Sequence, residues 1–276
     1  MTGRRAIFAL TIFALPIFPG LCAPALAQER VRLEWKVGPK EDANFTLQTT
    51  PYTGSKPLAK ELEPGLLSAL AYRRAAGKPD GKLSPALAEA LNPPAAEPGV
   101  GQSVEVKISR WTEDRLRCTL ASSAGERKYV LGRLVLNRSG QNKSFWVPFQ
   151  VQNMIIPVVE LAPNPVRVGD RWPVHVHLLQ QRQPLTVESS HRANQVSLVS
   201  FDAKSGEATL EYLISEEVVG AKSYPDDTAF GLAFHLVGRG VFSTREGNWS
   251  RLDLRMVLVQ GGRAQEAVIR VRPLAK

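Results

Sequence analysis

The sequence contains little cysteine and little histidine, with two cysteines and four histidines in 276 residues. Cys22 lies in an N-terminal segment that resembles a signal peptide, so a processed chain would retain Cys118 alone. A single thiol cannot form an intramolecular disulfide, and the fold must therefore be stabilised by a hydrophobic core. Cys118 alternates with Leu116 and Leu120, a pattern that predicts a small buried residue in a strand rather than a nucleophile.

Long apolar runs are confined to the N-terminus. Arg4 and Arg5 precede the apolar residues 6–18, and the sequence Ala-Leu-Ala ends at Ala27. This order is typical of a secretory signal with an A-x-A cleavage site, so we expect residues 1–27 to be removed on export. The apolar run is shorter than the roughly 20 residues that a transmembrane helix needs, and no later segment reaches that length. We therefore expect a periplasmic or extracellular protein without a transmembrane span.

Common catalytic signatures are also missing. The sequence contains no G-x-S-x-G elbow, no H-E-x-x-H helix and no complete P-loop. Gly77 and Gly81 are separated by three residues where a phosphate loop needs four, and Lys82 is followed by Leu83 rather than by Ser or Thr. These absences favour a noncatalytic protein over an enzyme.

The charge is basic but dispersed. The formal net charge is +9, and removing Arg4 and Arg5 with the signal lowers it to +7. An exported basic protein favours anionic neighbours, here an envelope protein, lipid or anionic polysaccharide. The basic residues are mixed with acids and lack the interleaved aromatics of a strand-binding surface, so no nucleic-acid partner is expected.

Period-two alternation of apolar and polar residues recurs along the chain and predicts strands. In the first half these strands fall near residues 31–35, 45–49, 104–108, 116–120, 129–136 and 145–151, and the first two are predicted to form a hairpin. In the second half they fall near residues 208–214, 232–242, 252–258 and 267–271, separated by short turns. Regularly spaced antiparallel strands with one apolar face predict a mainly β fold, either an antiparallel sandwich or an open barrel.

Two changes in residue composition and spacing divide the chain. Residues 58–92 show helical spacing of leucines, with Ser84 and Pro85 placed as an N-cap and a first-turn proline, which predicts a small helical insertion. A proline-rich stretch begins at Glu160 and disfavours continued strand pairing. We therefore expect a β-rich region over residues 28–159, which contains the insertion, and a second β-rich domain over residues 160–276.

The stretch 168–180 reads VGDRWPVHVHLLQ and contains the first candidate site. His175 and His177 are two residues apart, so on a strand they share one face and could chelate one divalent transition metal. Gln181, His191 or His235 could supply a third ligand. The alternative is that both histidines are ordinary polar residues of a strand and that no cofactor is bound.

The spacing of Gly169, His175 and His177 resembles the first metal motif of the cupin barrels, in which a glycine turn feeds a strand with paired histidine ligands. That resemblance covers about a dozen residues and implies a metal-dependent barrel enzyme. Gln181 and Arg182 stand where the cupin motif has a glutamate. The proline-x-glycine turn of a second cupin motif precedes neither His191 nor His235.

Residues 165–172 read PVRVGDRW and resemble the P-V-x-V-G-D-x-W segment of secreted, β-rich bacterial proteins of uncharacterised function. That resemblance implies an envelope β protein without a known reaction, in which Gly169 and Asp170 form a tight turn and Trp172 anchors it to the core. The leading hypothesis is therefore a noncatalytic exported protein that binds an envelope partner or an apolar ligand. A metal-dependent cupin-like enzyme and a purely structural envelope module are the alternatives.

Overall fold

The computed structural model describes residues 30–39, 41–50, 56–57, 70, 85, 102–124, 127–144, 149–176, 185–186, 189–223, 230–260 and 263–274. The predicted signal segment 1–27 lies outside the described residues. So does the predicted insertion 58–92, except for Leu70 and Pro85, which are both helical.

The described part of the chain forms strands and one helix of more than one turn. The strands are β1 (Ala43–Thr49), β2 (Lys56–Pro57), β3 (Gln102–Arg110), β4 (Arg115–Ala124), β5 (Arg127–Asn137), β6 (Arg171–Trp172), β7 (Leu185–Thr186), β8 (Ser189–Asp202), β9 (Glu207–Ser223), β10 (Phe230–Ser243), β11 (Asn248–Gln260) and β12 (Arg263–Pro273). The helix is α1 (Phe149–Val159).

Ten strands form one continuous sheet in the order β5-β4-β3-β1-β12-β11-β10-β9-β8-β6, and β2 and β7 pair with β12 and β9. Every recorded strand pair is antiparallel. The predicted mainly β antiparallel fold is confirmed, in the form of an open sheet. Because β1 pairs with β12, strands from both halves of the chain are neighbours in this sheet. The division into two regions at Glu160 stays a prediction.

One face of the sheet carries the main hydrophobic core. The core includes residues from all the long strands, and Ile155, Ile156, Val158 and Val159 of α1 are fully buried in it. The indole N–H of Trp35 donates to the carbonyl of Val159 at 2.7 Å. The last carbonyls of a helix have no partner within the helix, so this bond satisfies one of them and fixes the end of α1 against the sheet.

Two local predictions were wrong. The hairpin of residues 31–35 with β1 does not form, because β1 pairs with β12 on one side and with β3 on the other. Val31 instead exchanges backbone hydrogen bonds with Val166. The strand predicted over residues 145–151 is also wrong from Phe149 onward, where α1 begins. Its apolar residues at 151, 154, 155, 158 and 159 follow helical spacing, which the short alternation from 145 to 151 concealed.

The strands predicted in the second half near residues 208–214, 232–242, 252–258 and 267–271 are confirmed as parts of β9, β10, β11 and β12, whereas β8 was not predicted. Strands β8 and β9 are joined by a turn that ends at Gly206, and β10 and β11 by one that ends at Gly247, and both glycines have positive φ. On β9, Ala208, Leu210 and Tyr212 are fully buried, as their alternation predicts.

The centre of the sheet is buried on both faces rather than on one. All residues from Glu211 to Glu216 are buried, and a second apolar cluster forms on the face opposite the main core. Its members are Ala233, Val257, Val259 and Ala264. Several charged residues on this second face are paired, as in the bond from Arg239 Nε to Glu211 Oε2 at 2.8 Å.

Candidate functional site

The stretch that carries the paired histidines begins with the predicted turn and core anchor. Gly169 has φ +94°, and the Asp170 carboxylate accepts a hydrogen bond from the Arg167 backbone N–H at 2.8 Å. Trp172 is buried in the main core and pairs with Val196 of β8. The turn and the anchor therefore have the structural roles that the residues of PVRVGDRW predict.

Residues 173–176 follow β6 outside any regular strand, and we call them the strap. The Val176 N–H donates to the Val174 carbonyl at 2.9 Å, so the strand expected to carry His175 is not formed here. Val174 and Val176 are buried, and the His175 side chain between them is 70% exposed. The backbone of the strap is held by side chains of β8: the Asn194 amide accepts from the Val174 N–H and donates to its carbonyl, and Arg192 donates to the carbonyl of Val176. The predicted alternation is therefore present over residues 174–176.

Glu160 fixes the strap from the other side. It follows α1 directly, is 1% exposed, and accepts hydrogen bonds from the His175 backbone N–H at 2.8 Å and from the His175 ring Nδ1. Burial raises the pKa of the Glu160 carboxyl, and the bonds from His175 oppose that rise. In the sequence, Glu160 marks only the start of the proline-rich boundary. A single acid within the apolar run 155–162 is the signal that could have identified it.

The hydroxyl of Tyr212 and the indole N–H of Trp172 are buried in the main core, and neither has a hydrogen-bond partner among the described residues. Burial raises the pKa of Tyr212, and the negative charge of Glu160 raises it further. The thiol of Cys118 is buried as predicted, and burial raises its pKa to about 12, so it has little thiolate character near neutral pH.

The structure places the predicted metal ligands in different environments. His177 and Gln181 lie outside the described residues, and His191 lies on β8 opposite Glu217 in register. His235 is fully buried on the second face, opposite Ser215 and Val257, and no described residue forms a hydrogen bond with either ring nitrogen. Burial lowers the pKa of His235 to about 4.

A group of three or more His, Cys, Asp or Glu placed to hold a metal ion is not found among the described residues. The metal site at His175 and His177 stays a prediction.

A second candidate site is the edge of the sheet at β5. This strand ends the sheet order, and its first half projects beyond the core: Tyr129, Val130 and Leu131 are 49%, 52% and 43% exposed. The pairing with β4 contains a bulge at this point, between Leu120 and Ala121. The sequence predicted a strand here, and nothing in it showed that the strand lies at an edge.

Among the described residues, the contacts that cover the outer edge of β5 lie in its second half. Val135 donates its N–H to Ser144 Oγ at 2.8 Å, and its carbonyl accepts from the Lys143 N–H at 2.7 Å. Within the described part of the chain, no backbone group pairs with this outer edge from Tyr129 to Arg133. Adjacent apolar side chains thus lie beside open main-chain donors and acceptors.

A polar cleft of about 880 Å³ lies near the start of β1 and the β10–β11 turn. Its lining is mainly charged and includes Glu34, Lys36, Asp42, Arg138, Arg245 and Glu246. Such a surface does not suit an apolar ligand.

The chain matches no protein-family model, no curated protein and no solved structure. None of the helices in the described ranges has the length and apolar character needed to cross a bilayer.

Proposed function

We propose that this protein is an exported, noncatalytic binding protein that takes up an extended segment of an envelope protein along the outer edge of β5. The observation that supports the proposal is the run Tyr129–Val130–Leu131, which is exposed on the terminal strand of the sheet. Edge strands in soluble proteins are usually shielded by charge, proline or a covering segment, because open edges pair with other chains. Three adjacent exposed apolar residues at such an edge therefore favour a surface that a partner covers.

Strand addition explains both features of this edge. The partner's main chain would pair with the open donors and acceptors of β5, and its side chains would cover the apolar residues on either side of the strand. An apolar small ligand is less well supported. The described cleft is lined by charge, and the second apolar cluster is already buried, with Val257 fully inaccessible.

The experiment that tests this function is selection of twelve-residue peptides from a random library on the mature protein, followed by hydrogen–deuterium exchange. Binding by strand addition should protect the amides of β5 between Tyr129 and Arg133, and N-methylation of alternate peptide residues should abolish it. Tyr129→Ser with Leu131→Ser should weaken binding at least about tenfold, since both remove buried apolar contact. Trp111→Ser is the matched control, because Trp111 is 47% exposed but lies in the β3–β4 turn.

Failure to select any β5-dependent peptide would contradict the binding function and favour a purely structural envelope module. Equal losses in the Trp111 control would show nonspecific hydrophobic adsorption and would count against it too.

A second candidate function is a metal-dependent enzyme centred on His175, and one contact favours it. Glu160 holds His175 Nδ1, and metal-binding histidines commonly donate one ring nitrogen to a carboxylate while the other binds the ion. Elemental analysis of untagged protein tests this function. Stoichiometric transition metal that is lost in His175→Ala would support it, and metal-free protein would remove it.

A further inference from the structure

The open half of β5 is flanked by basic side chains. Arg127 and Arg133 lie on either side of Tyr129–Leu131, and both are exposed. Neither forms an ion pair with another residue in the described ranges. Lys128 differs, because its ammonium is bonded to Glu105 of β3. The edge therefore presents two guanidinium groups whose charge is not neutralised by a described neighbour.

This arrangement disfavours a second copy of the same chain at the edge. Antiparallel self-pairing centred on Val130 would place Arg127 of each copy in register with Arg133 of the other, with the two side chains on opposite faces of the joint sheet because of the bulge in β5. The four guanidinium groups would add like charge along the shared edge, and accumulated like charge disfavours self-association. The apolar run alone would favour self-association, and the two arginines act against it.

Resting on the function proposed above, we infer that the partner segment is acidic, with a short apolar centre flanked on both sides by carboxylates. The apolar centre would lie against Tyr129, Val130 and Leu131, and the carboxylates would pair with Arg127 and Arg133. A guanidinium presents a rigid fork of donors that matches a carboxylate in bidentate geometry. The two arginines would also repel a basic segment, so they would discriminate against apolar strands that are flanked by basic residues.

The test uses three synthetic nonapeptides with the full mature chain. The acidic peptide is Glu-Asp-Thr-Val-Ile-Val-Thr-Asp-Glu, the neutral one carries Gln and Asn at the four acidic positions, and the basic one carries Lys there. Fluorescence anisotropy in about 0.05 M salt should give an affinity for the acidic peptide about tenfold above that of the neutral one. The advantage should shrink severalfold in about 0.5 M salt, because exposed charges are screened.

The variant Arg127→Gln with Arg133→Gln should bind the acidic peptide only as well as the wild type binds the neutral one. Arg110→Gln with Arg115→Gln removes the same charge from exposed positions where β3 ends and β4 begins, and should retain the wild-type preference.

Equal binding of the acidic and neutral peptides, or an unchanged preference in the Arg127 and Arg133 variant, would overturn the acidic partner and leave strand addition standing. Absence of β5 protection with any peptide would overturn the binding function itself. Vesicles of anionic lipid provide a further arm. Binding to them that depends on Arg127 and Arg133, with no acidic peptide bound, would assign the edge to a membrane surface and overturn the protein partner.

Discussion

The buried carboxylate of Glu160 holds the exposed side chain of His175 through both the backbone N–H and the ring Nδ1 of that histidine. The Glu160 side chain is 1% exposed and the His175 side chain is 70% exposed, so this pair links the buried end of α1 to a solvent-exposed residue of the strap. Together with Asn194 and Arg192, Glu160 holds the strap by side chains rather than by a regular strand ladder. This arrangement makes the strap sensitive to single substitutions and to pH.

The first prediction concerns the ionisation of Glu160. Burial raises its pKa in the folded state above the ordinary value, so its contribution to stability is fully present below that ordinary value and is lost as pH rises through the folded pKa. Glu160→Gln does not ionise. We therefore expect the free energy of unfolding of the wild type, relative to Glu160→Gln, to decrease between pH 4.5 and pH 8 in urea titrations.

Glu113→Gln provides the control, because it makes the same substitution at an exposed position in the turn between β3 and β4. A difference between wild type and Glu160→Gln that does not vary with pH would contradict the assignment of Glu160 as a buried acid.

The second prediction concerns His235, whose pKa is lowered by burial from an ordinary 6.5 to about 4. The unfolded chain takes up a proton first as pH falls, so the stability present above pH 6.5 is lost progressively down to about pH 4. At roughly 1.4 kcal/mol per pKa unit, the loss amounts to about 3 kcal/mol. His235→Leu should remove this component of acid sensitivity in thermal or urea unfolding, whereas the exposed His175→Gln should retain it.

The third prediction concerns how the strap is fastened. Asn194→Ala removes two hydrogen bonds to the backbone of Val174 and should cost about 1–3 kcal/mol of stability. Amide exchange over residues 173–176 should accelerate more than exchange in the centre of β9. Gln195→Ala is the matched control, because the buried side-chain oxygen of the neighbouring Gln195 has no partner within the ranges that the structure describes. Similar acceleration in both variants would show that Asn194 is not the fastening residue.

The sequence predicted the second half of the fold better than the first, for a physical reason. Tyr212 and its neighbours on β9 alternate over a long strand between short turns, so local pattern and tertiary pairing agree. For α1 the local signal was misleading, since β-branched residues such as Val151 and Val158 suit both a strand and a buried helix face.

Strand β1 pairs with β12 and β3, which lie far from one another in the sequence. The alternation of apolar residues within one strand does not identify the strands that pair with it. The same limit applies to the candidate sites. Glu160 and His175 are 15 residues apart and meet only in the folded chain. The partner-binding role proposed for Arg127 and Tyr129 depends on the position of β5 at the end of the sheet, and the sequence does not show the order of the strands.

The last prediction concerns two core tryptophans, Trp172 and Trp249. It distinguishes the contribution of a hydrogen bond to stability from the contribution of packing. The Trp249 indole donates to the carbonyl of Val158 at 2.8 Å and packs edge-on against Phe242 with centroids 5.3 Å apart. Trp249→Phe keeps an aromatic ring but leaves a buried carbonyl of α1 without this donor, at a cost of about 1–3 kcal/mol in addition to the lost volume.

Trp172→Phe loses a similar volume but no hydrogen bond to a described residue, because the buried indole N–H of Trp172 has no partner in that part of the chain. We therefore expect Trp249→Phe to lower the free energy of unfolding more than Trp172→Phe does, by about 1 kcal/mol or more in urea titrations. Hydrogen exchange near the end of α1 should rise in Trp249→Phe alone. Equal destabilisation by the two substitutions would show that the bond to Val158 contributes little and that packing holds the helix on the sheet.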